Sequence, residues 1–334
     1  MIDILKLVYG AVSTKDIVPV LTHFCLYKDL IQTTGRIQGG NGTHCIDGPF
    51  DHDVPQVSVK ADRFLKAVEA CEGAPNFGIT PAGKLSVKHD RFRAYLPVLP
   101  QQDYPRMAQE GSNVPVDPDF IAVLRRLKPF ISEDASRVWS TALLFTERYV
   151  YATNNIIIVR CPIDWSDVQV AVPATTVDRI IEIADTPSQI FLADNSVTFE
   201  YDDVWMRSQL VNEPWPDVER FFTAPFGDLP AVPPDLRKAV ERIRVFCANE
   251  KFPTIQLGTT LKTDAGEQSA EYDGFDLPDS KFHADQLLKV LSVATHVDFS
   301  AFPKPCPFKG NNIEGLFVGL ALGTQSRDPK DSTS

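Results

Sequence analysis

The sequence predicts an α+β protein made of three similar units, each with two helices packed on antiparallel sheets. Three segments have a helical apolar pattern with a cation on the opposite face, in the same register each time. These are residues 57–71 with Lys66, 170–184 with Arg179, and 281–294 with Lys289. The intervals from Lys66 to Arg179 and from Arg179 to Lys289 are 113 and 110 residues. The repeating unit is therefore as long as a domain, and too long for a solenoid repeat.

A second helical pattern precedes each of these segments. One apolar stripe lies in residues 118–130, and a matching stripe lies in residues 233–247. Arg126 and Arg242 occupy equivalent positions on the far faces of these two predicted helices, and Arg125 and Lys238 lie beside them. In the first unit the stripe lies in residues 4–11, and Gly10 stands where the other two units have an arginine. The first unit is therefore expected to be the least basic.

Short β-rich runs fill the rest of each unit. Between the two helices lie residues 22–26, 141–145 and 254–257, and further strands follow the second helix after a turn. Each unit is thus predicted to run helix, strands, helix, strands.

Proline-rich stretches at residues 99–105 and 213–234 separate the units, because proline breaks helices and favours extended connections. We predict three domains and a disordered tail, at residues 1–113, 114–226, 227–322 and 323–334.

The composition indicates a cytoplasmic globular protein. Of the 334 residues, 43% are hydrophobic and 23% are charged, and no apolar run reaches the length of a membrane span. The N-terminus has no signal-like segment. The six cysteines form no CxxC pair, which predicts buried, reduced thiols.

Motifs for catalysis or cofactor binding are weak. His44, Cys45, Asp47 and His52 lie close together, but their spacing matches no closed zinc pattern, and a polar loop is the favoured interpretation. No phosphate-binding, dinucleotide-binding, hydrolase or metalloprotease motif is found. We therefore predict no enzymatic activity, no metal and no cofactor.

The recurring cations indicate contact with a nucleic-acid backbone. A single Lys or Arg opposite an apolar stripe is normally only the solvated face of a helix. Here five of the six predicted helices carry an outward cation, although the protein has a net charge of −11. Positive charge segregated onto one set of helices suits phosphate contacts. Aromatic residues do not interleave with these cations, which argues against the reading of bases.

Several short stretches follow one another in a recognisable order along almost the whole chain, namely residues 99–105, 151–159, 215–220, 249–252 and 282–291. In this order they resemble the bacterial-type DNA polymerase III β sliding clamps, in a divergent form such as a phage encodes. The second stands where the family has Ala-Thr-Asp-Gly-His-Arg-Leu. The third resembles the family's Pro-Asp-Tyr-Arg-Arg junction between its second and third domains. The order and spacing of these matches carry the resemblance.

The resemblance implies a ring. Three domains of the DNA-clamp fold in each chain of a head-to-tail homodimer would enclose duplex DNA, with helices inside and sheets outside. The cations implied to face the DNA are Lys15, Lys66, Arg125, Arg126, Arg179, Lys238, Arg242 and Lys289. Contacts to phosphates alone carry no sequence information, so such a ring would slide and tether a replicative polymerase for processive synthesis.

The family also has a pocket, between its second and third domains, for short Gln/Leu/Phe-type motifs of the polymerase and the clamp loader. Carried over by position, its walls are Thr153, Asn155, Ile156, Ile158, Pro216, Arg220, Phe221, Val318 and Leu320. The other interpretation is that these residues only pack between domains. Residues 156–158 replace the family's His-Arg-Leu, so a changed motif specificity is expected.

Pro97 departs from the family pattern as well. It lies within residues 95–99, in the expected ring-closing edge strand, where a missing N–H removes a pairing bond and is expected to weaken closure.

A second interpretation of the whole chain is a three-domain peptide-binding scaffold that does not bind DNA. Reversing the charges of Arg126, Arg179 and Arg242 separates these two interpretations.

Overall fold

The computed structural model combines helices with antiparallel sheets. It describes residues 1–15, 17–29, 34–99, 103–166, 168–223, 226–247, 253–263 and 270–320. The predicted tail and the stretch at residues 249–252 lie outside these ranges. Within them, no helix has both the length and the apolar character needed to span a bilayer.

The described elements run helix, strands, helix, strands three times, as predicted. The first repeat contains α1 (Ile2–Tyr9), β1 (His23–Lys28), β2 (Gly35–Gly40), β3 (His44–Pro49), β4 (Val57–Lys60), α2 (Ala61–Glu69), β5 (Asn76–Ile79), β6 (Leu85–His89), β7 (Phe92–Leu96) and β8 (Val98–Leu99). The second repeat contains β9 (Ser112–Val114), α3 (Phe120–Leu127), β10 (Ala142–Phe145), β11 (Tyr149–Thr153), β12 (Ile157–Pro162), β13 (Val170–Pro173), α4 (Ala174–Ile183), β14 (Gln189–Ala193), β15 (Ser196–Tyr201) and β16 (Val204–Gln209). The third repeat contains α5 (Leu236–Arg244), β17 (Thr254–Leu257), β18 (Thr260–Thr263), β19 (Glu271–Asp273), β20 (Ser280–His283), α6 (Ala284–Leu291), β21 (Ala294–Val297), β22 (Cys306–Gly310) and β23 (Ile313–Phe317).

The second helix of each repeat starts later than the sequence pattern predicts. The first residues of each predicted helix form the strands β4, β13 and β20, and α2, α4 and α6 begin directly after them. A buried run of four residues fits a helical and an extended pattern equally well. Pairing with a strand distant in sequence decides between them, since β4 pairs with β1 and β20 pairs with β17.

The chain forms two compact units. Unit 1 comprises Met1–Leu124, Phe145–Glu147 and Asp164–Asn212, and unit 2 comprises Arg125–Leu144, Arg148–Ile163 and Glu213–Ser334. The three domain ranges given by the sequence stay a prediction.

A nine-stranded antiparallel sheet forms the frame of unit 1. Its strand order is β8-β4-β1-β2-β3-β16-β15-β14-β9. The helix α1 packs against α2 and across β2 and β3, with Leu5 and Val8 fully buried. A separate three-stranded sheet has the order β5-β6-β7, which leaves β7 at an edge.

Pro97 lies between β7 and β8. The expectation that it interrupts the edge strand is therefore wrong, because the chain leaves one sheet for the other at this residue.

Unit 2 has two sheets and a packed helix pair. In one sheet the strands of unit 2 have the order β10-β11-β12-β23-β22-β21, and a four-stranded sheet has the order β19-β18-β17-β20. The helices α5 and α6 pack against each other. A cluster of buried phenylalanines, with ring centroids 4.9–6.2 Å apart, fills the core between these elements: Phe282, Phe299, Phe308 and Phe317.

The repeats join through the same strand pairing each time. The third strand after the first helix of the first repeat, β3, pairs antiparallel with the third strand after the second helix of the second repeat, β16. Likewise β12, the third strand after α3, pairs with β23, the third strand after α6. Among the described residues, the equivalent strands β19 and β7 are at sheet edges. Within the described ranges, β7 and β19 therefore each leave one strand side unpaired.

All six cysteines are buried and free, so the prediction of buried, reduced thiols is confirmed. Burial raises the pKa of the Cys161 thiol to about 11, so the group stays protonated and unreactive at neutral pH.

Candidate nucleic-acid and peptide interfaces

Most of the predicted DNA-contacting cations lie near the C-terminal ends of short helices. The last helical turns contain Lys66 in α2, Arg125 and Arg126 in α3, Arg242 in α5 and Lys289 in α6. Lys238 lies one turn earlier in α5, and Lys15 follows α1 in an exposed turn. A cation in the last turn also stabilises the helix dipole, by about 0.3–1 kcal/mol. That local effect explains a cation at any one of these sites, but it does not explain their recurrence in an acidic chain.

Arg179 differs from the other cations because it lies in the middle of α4. Its Nη1 bonds Glu182 at 2.5 Å. A Cβ atom placed on Gly10 would lie only 2.7 Å from the same Nη1. The guanidinium of Arg179 thus occupies the space next to the C-terminal end of α1, where the first repeat lacks an arginine of its own. Sequence spacing alone does not indicate that Arg179 comes close to the end of α1.

Arg126 also has a defined partner. Its Nη1 donates to the backbone carbonyl of Asn312 at 3.4 Å, and the side chain stays partly exposed. Of the remaining cations, Lys289 is half-buried, and the exposed ones are Lys15, Lys66, Arg125, Lys238 and Arg242.

An apolar pocket of about 230 Å³ lies within unit 2 and unites eight of the nine predicted peptide-contacting residues. They are Thr153, Asn155, Ile156, Ile158, Pro216, Arg220, Phe221 and Val318. Leu320 is not part of the lining, and its backbone N–H donates to Lys281 at 2.7 Å. The sequence did not reveal Arg137, Trp139, Ile157, Val218, Pro305 and Leu316, which also line the pocket. Leu316 alternates with Val318, so strand periodicity was the signal for that residue.

The turn between β11 and β12 shapes one wall of the pocket. Asn155 has a φ of 69°, a left-handed conformation that asparagine adopts more readily than most residues. The side-chain oxygen of Asn154 accepts hydrogen bonds from the N–H groups of Ile156 and Ile157. Arg137 donates to Oδ1 of Asn155 at 2.9 Å. These bonds fix the turn and present Ile156 and Ile158 to the pocket.

Charge is confined to the rim of this pocket. Arg137 and Arg220 are both exposed, and the guanidinium carbon of Arg220 lies 4.9 Å from the ring centroid of Phe221. Phe221 and Val318 keep exposed fractions of 43% and 42%. An apolar groove with exposed rings and a cationic rim suits a peptide with apolar anchors and adjacent acidic or polar residues.

The cluster considered as a metal site is a buried polar network. Asp47 is fully buried and accepts hydrogen bonds from Arg36 at 2.6 Å, Tyr27 at 2.6 Å and Gln38 at 3.0 Å. In addition, Arg36 donates to the carbonyl of Asp203 and Gln38 bonds both backbone groups of Met107. Across the described ranges no group of three or more His, Cys, Asp or Glu side chains is arranged to hold a metal.

His44 lies in β3 with an exposed fraction of only 3%. Neither ring nitrogen has a hydrogen-bond partner. Burial, helped by the charge of Arg179, lowers the pKa of His44 from 6.5 to about 4. This histidine is therefore neutral at physiological pH.

Comparison with known proteins places this architecture in one class. No family model matches the chain. The β sliding clamp of Caulobacter vibrioides (strain NA1000 / CB15N) is 22% identical over 303 residues, which cover 80% of this chain and 81% of that protein. Among solved structures, the β subunit of DNA polymerase from Streptococcus pyogenes superposes with a TM-score of 0.83 at 16% identity, over 96% of this chain and 97% of that one. The sliding clamp from Bacillus subtilis gives 0.82 at 14% identity, with the same coverage.

The chain therefore has the fold of the DNA polymerase sliding clamps along nearly its whole length. Within that class the resemblance is to the bacterial DNA polymerase III β subunits, as the sequence motifs predicted. The structure of the Caulobacter crescentus subunit, with a TM-score of 0.83 at 20% identity, is a further example. The sequence identity to each of these proteins is 22% or lower.

Proposed function

We propose that this protein is a DNA sliding clamp, which encircles duplex DNA without sequence specificity and tethers a replicative polymerase for processive synthesis. The observation that carries the proposal is the fold, shared with sliding clamps over 96% of the chain. The recurring helical cations support it, since phosphate contacts hold a duplex without fixing a position on it. Such a protein acts by tethering, so no catalysis and no cofactor are expected. A replication role implies a cytoplasmic location.

The proposed ring is based on the strand pairing that recurs between repeats. In the proposed domains, 1–113, 114–226 and 227–322, each junction pairs the third strand after the first helix of one repeat with the third strand after the second helix of the next. The same pairing between two copies would join β19 of one chain to β7 of the other. This contact is heterologous and head-to-tail, and two such contacts close a homodimeric ring. Charge favours it, because exposed Arg93 lies on β7 and exposed Glu271 and Asp273 lie on β19.

Light scattering of single and paired charge reversals tests this assembly. Arg93→Glu and Asp273→Arg should each shift the protein towards monomer, and the double variant should recover the dimer. A wild-type protein that is strictly monomeric would contradict closure of the ring without help from a loader.

Charge reversal of Arg126, Arg179 and Arg242 tests DNA binding. Each lost phosphate contact lowers the slope of log affinity against log salt by about 0.9. The triple glutamate variant should therefore lose about 3 units of slope while its fold stays intact. A control with Lys84, Arg148 and Lys304 reversed has the same net charge and should bind as the wild type does. Equal binding by both triple variants would favour the scaffold that does not bind DNA.

The topology of the DNA gives a second test, because affinity alone does not distinguish circular from linear DNA. A loaded clamp should stay on nicked circular DNA and leave the same molecule after it is cut to a linear form. Processive synthesis on a circular primed template should increase with the clamp and its polymerase. Equal retention on circular and linear DNA would contradict encirclement.

We further propose that the pocket binds short motifs of the polymerase and the clamp loader. Its volume of about 230 Å³, its exposed Phe221 and its cationic rim support this role. Phe221→Ala should abolish stimulation of the polymerase while DNA retention stays unchanged, because the pocket and the helical cations are separate features. Unaltered stimulation would contradict the assignment.

A further inference from the structure

Arg160 lies on the sheet face that forms the floor of the pocket. Side chains alternate between the two faces of a strand, so Ile158 and Arg160 of β12 share one face. Ile158 pairs with Thr153 on one side and Leu316 on the other, and all three line the pocket. The next row on the same face consists of Tyr151, Arg160 and Glu314. Arg160 is thus one row away from the pocket.

The guanidinium of Arg160 is held on three sides. Its Nε donates to Oε1 of Glu314 at 2.6 Å. Its central carbon lies 4.1 Å from the ring centroid of Tyr149 and 4.3 Å from that of Phe222. A planar guanidinium stacks between two rings in this way, whereas a lysine ammonium does not.

Phe222 ends the wall segment, which we define as residues 215–222. This segment provides Pro216, Val218, Arg220 and Phe221 to the pocket. Its only regular element is a four-residue 3₁₀ helix, Glu219–Phe222, and such a short turn has little stability of its own. Packing on the sheet therefore holds the segment in place.

The packing of the wall segment is concentrated near Arg160. Val218 and Phe222 form a buried cluster with Leu144 and Tyr151. The hydroxyl of Tyr151 also donates to Glu219 at 3.4 Å. Among these contacts, the stack on Phe222 is the one anchored by an ion pair to another strand, since Glu314 lies on β23.

We infer that Arg160 is a positioning residue for peptide docking: anchored by Glu314 and stacked on Phe222, it fixes the wall segment so that Arg220 and Phe221 face the groove. This inference rests on the proposed function of the pocket. A segment that is already ordered loses less conformational freedom when the peptide binds. Without the stack, the peptide must order the segment as it binds, and affinity falls.

Arg160→Lys is the decisive variant, because it keeps a positive charge for Glu314 and loses the stack. Fluorescence anisotropy would measure binding of a fluorescein-labelled peptide with a Gln/Leu/Phe-type motif. The expected result is about tenfold weaker binding, with faster hydrogen–deuterium exchange confined to residues 215–222. DNA retention and the midpoint of urea unfolding should match the wild type. Arg148→Lys, at an exposed arginine, is the matched control and should change nothing.

Glu314→Gln is the second variant, since it weakens the anchor and keeps the stack. It should weaken peptide binding in the same direction and by a smaller factor. Wild-type affinity and wild-type exchange in Arg160→Lys would overturn the inference. Faster exchange spread over β11, β12 and β23 would also overturn it, because Arg160 would then stabilise the whole sheet. If the wild type does not bind the peptide, the proposed pocket fails, and the exchange of residues 215–222 still decides whether Arg160 orders the segment.

Discussion

Asp47 gives the sharpest test of how the buried polar network supports unit 1. The Asp47 side chain is fully buried, and the side chain of Arg36 is only 9% exposed. Asp47→Ala leaves that guanidinium buried without its counter-charge, and breaking a buried pair costs about 3–5 kcal/mol. Tyr27 and Gln38 lose an acceptor at the same time, at about 1–3 kcal/mol each where the donor stays buried and unsatisfied. These losses share one site and do not add. We therefore expect a loss of about 4 kcal/mol in unfolding free energy.

The assay is urea unfolding followed by tryptophan fluorescence. Trp205 is a suitable reporter because it pairs directly with Asp47 across β16 and β3. Asp53→Ala is the matched control, since Asp53 bonds Lys28 at 2.9 Å with a side chain 96% exposed. Solvent screens such an exposed ion pair, so its loss should change stability little. Asp47→Asn keeps an oxygen acceptor and should lie between the two. A difference below about 1 kcal/mol between the two alanine variants would refute the reasoning.

Three further predictions concern stability. The pKa of His44 is lower in the folded state, at about 4, than its ordinary 6.5, so the unfolded chain binds the proton first and stability falls by about 3 kcal/mol as pH drops from 6.5 to 4. His44→Gln should make the unfolding free energy less dependent on pH, as measured by urea titrations at several pH values. An unchanged slope of unfolding free energy against pH would contradict this role of His44. Gly111 has a φ of 111°, and an added Cβ would lie 2.4 Å from the carbonyl oxygen of Leu192; Gly111→Ala should lose about 2–3 kcal/mol in the same assay. Gly83→Ala, with open space around it, should lower the free energy of unfolding by about 1 kcal/mol. Equal losses in the two variants would show that the structure relieves the clash at Gly111. Phe64 is fully buried and its ring centroid lies 5.7–6.2 Å from those of Phe24, Phe50 and Phe77, so Phe64→Ala should lower the thermal midpoint strongly, at a cost of about 3–5 kcal/mol.

Part of the pocket was accessible to sequence reasoning and part was not. The positions found by matching a family pattern were Thr153, Asn155, Ile156, Ile158, Pro216, Arg220 and Phe221. Arg137 and Trp139 were not found, because they lie on a separate stretch that comes near only when residues 142–162 fold into strands. No sequence pattern indicated a role for Arg160, because an arginine inside an apolar strand gives no information about the aromatic rings that pack against it.

The sequence by itself determined the local and the periodic features. Helical apolar stripes, the recurring cations and the threefold order of elements depend on residues close together in the chain, where spacing and side-chain type decide the outcome. The tertiary structure decided everything that depends on residues far apart. It changed the first residues of three predicted helices into strands, because their pairing partners lie elsewhere. It also brought Arg179 to the end of α1 and converted the sequence cluster around Asp47 into a buried network. The physical reason is that cross-strand pairing, burial and ion pairing join groups whose separation along the chain carries no pattern.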